Sequence, residues 1–185
     1  TDMTIPAKEA RRAPGSEWVK DHPAFLEAAY DITRRVVVRL YPPMKRLMPR
    51  LVERAMVWGE EITKGWLFNC QMCGQCILHS TGMTCPMNCP KKMRNGPCGG
   101  VRANSHCEVI PERLCVWLQG WERSQRMQRY ADDVRLVQPP VDYTLTNTSA
   151  WANMAEGRDV PPEGWALTGP ACRVQGEGGS GDEFS

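Results

Sequence analysis

Eight of the nine cysteines in this 185-residue chain fall between Cys70 and Cys115. So much sulfur in so short a stretch is not ordinary core, because buried free cysteines behave as small hydrophobes and are usually scattered. Clustered thiols are held by disulfides or by metal, and spacing decides between them. Cys70, Cys73 and Cys76 are each two residues apart, and the gaps then widen through Cys85, Cys89, Cys98, Cys107 and Cys115. A short Cys-x2-Cys loop aims both sulfurs inward, which suits a chelate better than a structural disulfide.

The triplet resembles the C-x2-C-x2-C-x3-C-P run of bacterial ferredoxins, in which three thiolates hold three corners of a four-iron cluster. Cys89-Pro90 supplies a Cys-Pro of that kind, but only after Cys85, so the run is not a plain ferredoxin. Eight thiolates suit two four-iron clusters, and equally two four-cysteine zinc sites. The wide later gaps differ from the paired knuckles of zinc ribbons, which favours iron–sulfur. Gly96-Pro97-Cys98-Gly99-Gly100 is expected to bring backbone N–H groups close to sulfur. Met72, Met83, Met87 and Met93 are candidates for an apolar wall, or for plain packing. His79 and His106 are alternative nitrogen ligands for zinc. Cys172 lies far from the rest and is expected to be a bystander.

The spacing predicts a mainly α fold: helices flanking a ferredoxin-like, cysteine-rich segment, with an irregular, metal-stapled core. The expected divisions are a flexible arm at 1–20, a helical region at 21–64 and a cysteine-rich domain with a trailing helix at 65–135. An extended tail at 136–174 and a disordered end at 175–185 follow. Asp21 is the expected N-cap of a helix whose stripe is Phe25, Ala28, Ala29, Ile32, Val36 and Leu40. Tyr41-Pro42-Pro43 is expected to end it. A second helix begins near Met48, with Pro49 in its first turn, and runs to about Lys64 with Leu51, Ala55, Trp58 and Ile62 as its stripe. A third is expected from Val116 to about Asp132. Tyr143, Trp151 and Trp165 are expected to anchor the tail on another surface.

Fifteen prolines and sixteen glycines point to long irregular segments, and mean hydropathy is negative, so metal would stand in for part of a thin core. A net charge of +2 gives no reason to expect nucleic acid. Arg34, Arg35, Arg39, Lys45, Arg46, Arg50 and Arg54 form a basic stretch, read as a solvated helix surface or a site for an acidic partner. Trp66 and Phe68, just before Cys70, are expected to shield the metal site, and Lys91, Lys92 and Arg94 to offset its negative charge. No run is apolar enough to span a membrane and no signal peptide opens the chain, so a reducing, cytoplasmic setting is expected. There is no G-x-S-x-G, H-E-x-x-H, P-loop or G-x-G-x-x-G, and catalysis by this chain alone is not expected.

Three runs carry a resemblance: Cys73-Gly74-Gln75-Cys76; Thr81-Gly82-Met83-Thr84-Cys85-Pro86-Met87-Asn88-Cys89-Pro90-Lys91; and Arg94-Asn95-Gly96-Pro97-Cys98-Gly99-Gly100. With Cys107-Glu108-Val109 and Cys115-Val116-Trp117, they resemble the methylenetetrahydrofolate reductase C-terminal domain, over about residues 65–130. The similar protein of acetogens is that reductase's small cysteine-rich subunit. The resemblance implies a separate flavin-containing (β/α)8-barrel subunit as partner, which reduces methylenetetrahydrofolate. This chain is too short to supply such a barrel itself. The expected role is that of an accessory iron–sulfur electron-transfer subunit with two [4Fe-4S] clusters on Cys70, Cys73, Cys76, Cys85, Cys89, Cys98, Cys107 and Cys115. The alternative is a structural zinc subunit without a redox role. How the eight divide between two centres is not readable from the sequence.

Overall fold

The computed structural model describes residues 22–161 and Trp165. The arm at 1–20, Asp21, Cys172 and the expected disordered end lie outside the described residues. Helix α1 spans Pro23–Leu47, α2 Pro49–Phe68, α3 Val116–Ser124 and α4 Ala150–Glu156. Short 3-10 turns at Leu78–Thr81, Pro86–Asn88, Ala131–Arg135 and Tyr143–Leu145 punctuate the rest. There is no strand among the described residues. One isolated antiparallel bridge joins His106 to Leu114. The fold is mainly helical, as expected.

Pro23 sits in the first turn of α1, where its missing N–H is not needed. The helix does not stop at Tyr41-Pro42-Pro43 as expected, but carries both prolines inside it. The prolines withdraw the N–H groups that would bond the carbonyls of Val38 and Arg39. Both of those residues are exposed, so water satisfies them and the break is avoided. Met48 ends α1, and Pro49 opens α2. Asn69, in the left-handed region, closes α2.

The two expected stripes are not what the helices bury. Phe25, Ile32, Val36 and Leu40 of α1 are exposed, as are Leu51, Trp58, Ile62 and Trp66 of α2. The inward face of α1 is Leu26, Glu27, Tyr30, Val37 and Tyr41. That of α2 is Val52, Met56, Glu60 and Lys64. A polar residue sits in each inward face, which is why an apolar count chose the other side. Leu26 joins Leu78, Met83, Cys85, Met87 and Met127 in one core cluster, and Tyr41, Val52 and Ala152 form a second.

Two buried carboxylates tie the C-terminal half to these helices. Glu27 accepts the backbone N–H groups of Gln128, Arg129 and Tyr130. Those amides are therefore not free to extend α3, which ends at Ser124 rather than near Asp132. Glu60 accepts from the Ser149 hydroxyl at 2.9 Å and from the N–H groups of Ala150 and Trp151, so it caps α4 from outside.

The stretch expected to be an extended tail thus holds a helix, packed against α1 and α2, with Trp151 buried. Of the three expected anchors, Trp151 faces inward, whereas Tyr143 and Trp165 are exposed. Asn147 N–H bonds to the carbonyl of Met72, Asp142 N–H to Gln75 Oε1, and Asn153 Nδ2 to the carbonyl of Gly74. Residues 142–153 therefore close over the cysteine triplet. Gly74 shows how tightly: its φ is +75°, and a Cβ there would meet the Leu145 carbonyl oxygen at 2.2 Å.

Candidate metal centres

All eight described cysteines are free thiols. The structure sorts them into two sets. Cys70, Cys73, Cys76 and Cys85 line one cavity, with Glu60, Lys64, Met72, Met87 and Arg94. Cys89, Cys98, Cys107 and Cys115 line another, with Lys91, Glu108, Arg113 and Trp117. The division runs straight along the sequence, four then four. Among the described residues, no three Cys, His, Asp or Glu side chains are grouped so as to hold a metal ion.

Local backbone explains the first set. Met72 (φ +48°) and Gly74 (φ +75°) are left-handed residues, one inside each two-residue loop of the triplet. They curl the chain so that successive sulfurs turn to one side, and such curls also turn N–H groups inward. The Met72 N–H donates to Cys70 Sγ at 3.4 Å. An N–H-to-sulfur contact thus occurs in the triplet, while the expected one was in the glycine-rich run around Cys98. The 3-10 turn at Leu78–Thr81 then brings Cys85 back, its Thr81 hydroxyl donating to the carbonyls of Ile77 and Thr84. Asn88, donating to the Phe68 carbonyl at 2.9 Å, fixes the following turn to the end of α2.

The second set is made by a loop closed on itself. Cys107 N–H bonds to the carbonyl of Arg113, and Cys115 N–H to that of Ser105, beside the His106–Leu114 bridge. Cys115 is also the N-cap residue of α3. Trp117, two residues on, donates its indole N–H to the Met93 carbonyl and lines the cavity.

Electrostatics separate the two sets further. Burial pushes the Cys70 thiol up to about 12, and raises Cys73 and, more strongly, Cys85, to which the neighbouring thiols Cys70, Cys73 and Cys76 add. Such thiols stay protonated unless a cation joins them, and a coordinating metal ion deprotonates them outright. Two buried cations border this cavity. Burial lowers Lys64, but Cys76 when ionised, Glu60 and Cys70 when ionised outweigh it and its pKa is raised on balance. Lys64 Nζ lies 3.4 Å from Glu60 and 4.7 Å from the Trp151 ring centroid, yet makes no hydrogen bond. Burial lowers Arg94, against the pull of Cys73 and Cys76. Its Nε and Nη1 have no hydrogen-bond partner, and Nη2 only reaches the Gln75 carbonyl at 3.4 Å.

Orphaned buried donors are costly and call for a partner. Four thiolates around a dication, or around a four-iron cluster in its usual charge state, carry about −2 net. Lys64 and Arg94 face that charge and offset part of it, Glu60 on the same wall being paired with Lys64. The donor set and its surroundings therefore fit a thiolate-bound metal centre. Arg94 was legible in the sequence as a charge near the cysteines. Lys64 was not, because it reads as the exposed end of a helix.

The two histidines take other places. His79 stacks on Tyr30 with ring centroids 5.1 Å apart, and burial lowers it to about 4, so it is neutral. His106 Nδ1 meets the Asn104 carbonyl. Neither lines a cysteine cavity. Of the expected wall, Met72, Met83 and Met87 are buried, and Met72 and Met87 line the first cavity. Phe68 packs against the core cluster that includes Cys85, whereas Trp66 is exposed. No helix among the described residues is long and apolar enough to cross a membrane.

Residues 50–144, just over half of the chain, match the family described as Methylene-tetrahydrofolate reductase C terminal. The match takes in both cysteine sets and most of α2. No curated protein and no solved structure matches the chain.

Proposed function

The chain belongs to the methylene-tetrahydrofolate reductase C-terminal family, and from that premise we propose that it is an accessory iron–sulfur electron-transfer subunit of a flavin-dependent methylenetetrahydrofolate reductase. Cys70, Cys73, Cys76 and Cys85 would hold one [4Fe-4S] cluster. Cys89, Cys98, Cys107 and Cys115 would hold the other. The clusters would supply one-electron transfer. The chain's own residues exclude water from the first centre, through Met72, Met87 and residues 142–153, and set its charge through Lys64 and Arg94.

The observation that carries the reading is the pair of buried cations, with unsatisfied donors, beside four thiols. Cationic surroundings stabilise the more negative, reduced state of a cluster and so raise its potential. The folate and flavin would belong to the partner, a (β/α)8-barrel subunit. The exposed apolar faces of α1 and α2, Phe25, Ile32, Val36 and Leu40 with Leu51, Trp58, Ile62 and Trp66, support a large protein partner.

The test is metal analysis of protein purified without oxygen from cells supplied with iron. About eight irons and eight sulfides per chain are expected. Colourless protein with about two zinc ions and no sulfide would replace this reading with that of a structural zinc subunit.

A further inference from the structure

A third cavity, distinct from the two that four cysteines line, opens between α1, the turn at Leu78–Thr81, residues 129–133 and α4. Its volume is about 610 Å³, inside the range of small-molecule sites. One wall is aromatic. Tyr30 stacks with His79 at 5.1 Å and 26° and lies 5.1 Å from Trp151, while Tyr130 meets His79 edge-on at 5.4 Å. These rings come from four separate elements, and only the fold brings them together.

Some of the polar groups in this cavity lack partners. His79 Nδ1 is buried without a hydrogen bond. Asp133 and Asp159 are half-buried and form no ion pair among the described residues, and burial raises both carboxyl pKa values. Arg129 is matched by Asp31, and Asp132 by Arg135. Arg34, exposed at the rim, is in no ion pair among the described residues. An aromatic wall with an unsatisfied imidazole nitrogen, two carboxyls outside any ion pair and one unpaired guanidinium at the rim is unlike a packed core, where polar groups are satisfied.

We propose that this cavity binds a planar heteroaromatic ring that carries an anionic tail, the ring against the Tyr30–Trp151 wall and the anion at Arg34. The wall offers stacking and edge contacts to a π-system. The imidazole and carboxyl groups match the N–H and C=O edge of a heterocycle. A guanidinium is well suited to a phosphate. Cys76 lies on the floor, so an occupant would sit beside the first cysteine set. The proposal does not depend on what that set holds. Nucleotides of the isoalloxazine and purine classes share this chemistry, and such an occupant would be additional to the flavin assigned above to the partner.

The test uses the full chain purified without oxygen. Equilibrium dialysis measures binding of three probes: flavin mononucleotide, riboflavin and adenosine monophosphate. At least one of the two nucleotides is expected to bind below millimolar concentration. If flavin mononucleotide is the better one, riboflavin should bind about tenfold more weakly, since it lacks the phosphate and so one charge-assisted contact. Arg34→Ala should weaken the preferred nucleotide by a similar factor and leave riboflavin unchanged. Met154→Trp, at a half-buried lining position, should fill the cavity and abolish binding while the helical circular dichroism persists. Failure of both nucleotides to bind at millimolar concentration overturns the proposal, as does binding that survives Met154→Trp. Metal content is read on the same samples, so a zinc result there would refute the cluster reading without touching this one.

Discussion

Around Cys70, Cys73, Cys76 and Cys85 the counter-charge is buried: Lys64 on α2 and Arg94 beyond Cys89. Around Cys89, Cys98, Cys107 and Cys115 it is exposed and local. Lys91 pairs with Glu108, both side chains more than a third exposed, and Cys98 Sγ lies 3.8 Å from that same carboxylate. The first set is also roofed by residues 142–153, and Cys85 belongs to the main core cluster. The second is closed by one bridge and the start of α3. The contrast teaches that the first cysteine set is built into the main core, while the second is held mostly by its own loop and the start of α3.

The largest effect should come from breaking one cysteine in each set. Cys73→Ser should cost the first centre and much of the fold, because metal binding there is also folding free energy and the surrounding methionines pack around it. Cys107→Ser should halve the metal and leave the helices intact. Metal content, far-ultraviolet circular dichroism and thermal midpoint read this out. Equal unfolding in the two variants would remove the contrast.

Arg94→Met sharpens it through a change of sign. With the centre loaded, the variant loses a cation facing the thiolates and should be destabilised by about 3 kcal/mol, the usual cost of stripping one partner from a buried charge pair. With metal removed by chelation and the thiols protonated, Arg94 is a buried cation with unsatisfied donors. The same substitution should then stabilise the chain by about 1–3 kcal/mol. Urea titrations of both forms measure it, and destabilisation of both would show that Arg94 has another partner.

These arguments indicate what the sequence could and could not tell. The clustering of eight cysteines was legible because spacing along the chain is a local matter, and so was the existence of α1 and α2. Their orientation was not. Leu26, Tyr30 and Tyr41 face inward beside Glu27, and Met56 beside Glu60 and Lys64, so the buried faces look mixed. The more regular apolar stripes, Phe25–Leu40 and Leu51–Ile62, are on the outside. Buried charge is costly in any single-helix view, and only its distant partners, the amides of 128–130, the Ser149 hydroxyl and the amides of Ala150 and Trp151, explain it. The same long-range bonds turned an irregular, proline-bearing stretch into a roof containing α4. The four-and-four division was also beyond reach, since the left-handed backbone at Met72 and the Cys107–Cys115 loop closure are three-dimensional facts.

Glu60→Gln probes the roof directly. Gln still accepts from one or two of the three donors, but it loses its charge and leaves Lys64 without its partner. A loss of about 2 kcal/mol is expected, from weakened hydrogen bonds to a charged acceptor. Hydrogen exchange should quicken at the amides of Ala150 and Trp151, and metal should leave the first centre faster while the second is unaffected. Faster loss from both would mean the roof serves the whole molecule.

The smallest effect belongs to Lys91→Gln. Lys91 reaches Glu108 near Cys98, much as Lys64 reaches Glu60 near Cys70, so sequence distance alone would rank the two lysines together. Solvent separates them. An exposed ion pair is screened by water and salt and is worth about 0–1 kcal/mol, whereas Lys64 and Arg94 act where water is excluded. Lys91→Gln should therefore shift stability by less than about 1 kcal/mol, the shift should vanish in molar salt as screening tightens, and the second centre should keep its metal. A loss as large as that of Arg94→Met would mean that the loop from Cys89 to Cys115 is buried in the working protein, most simply beneath the reductase subunit.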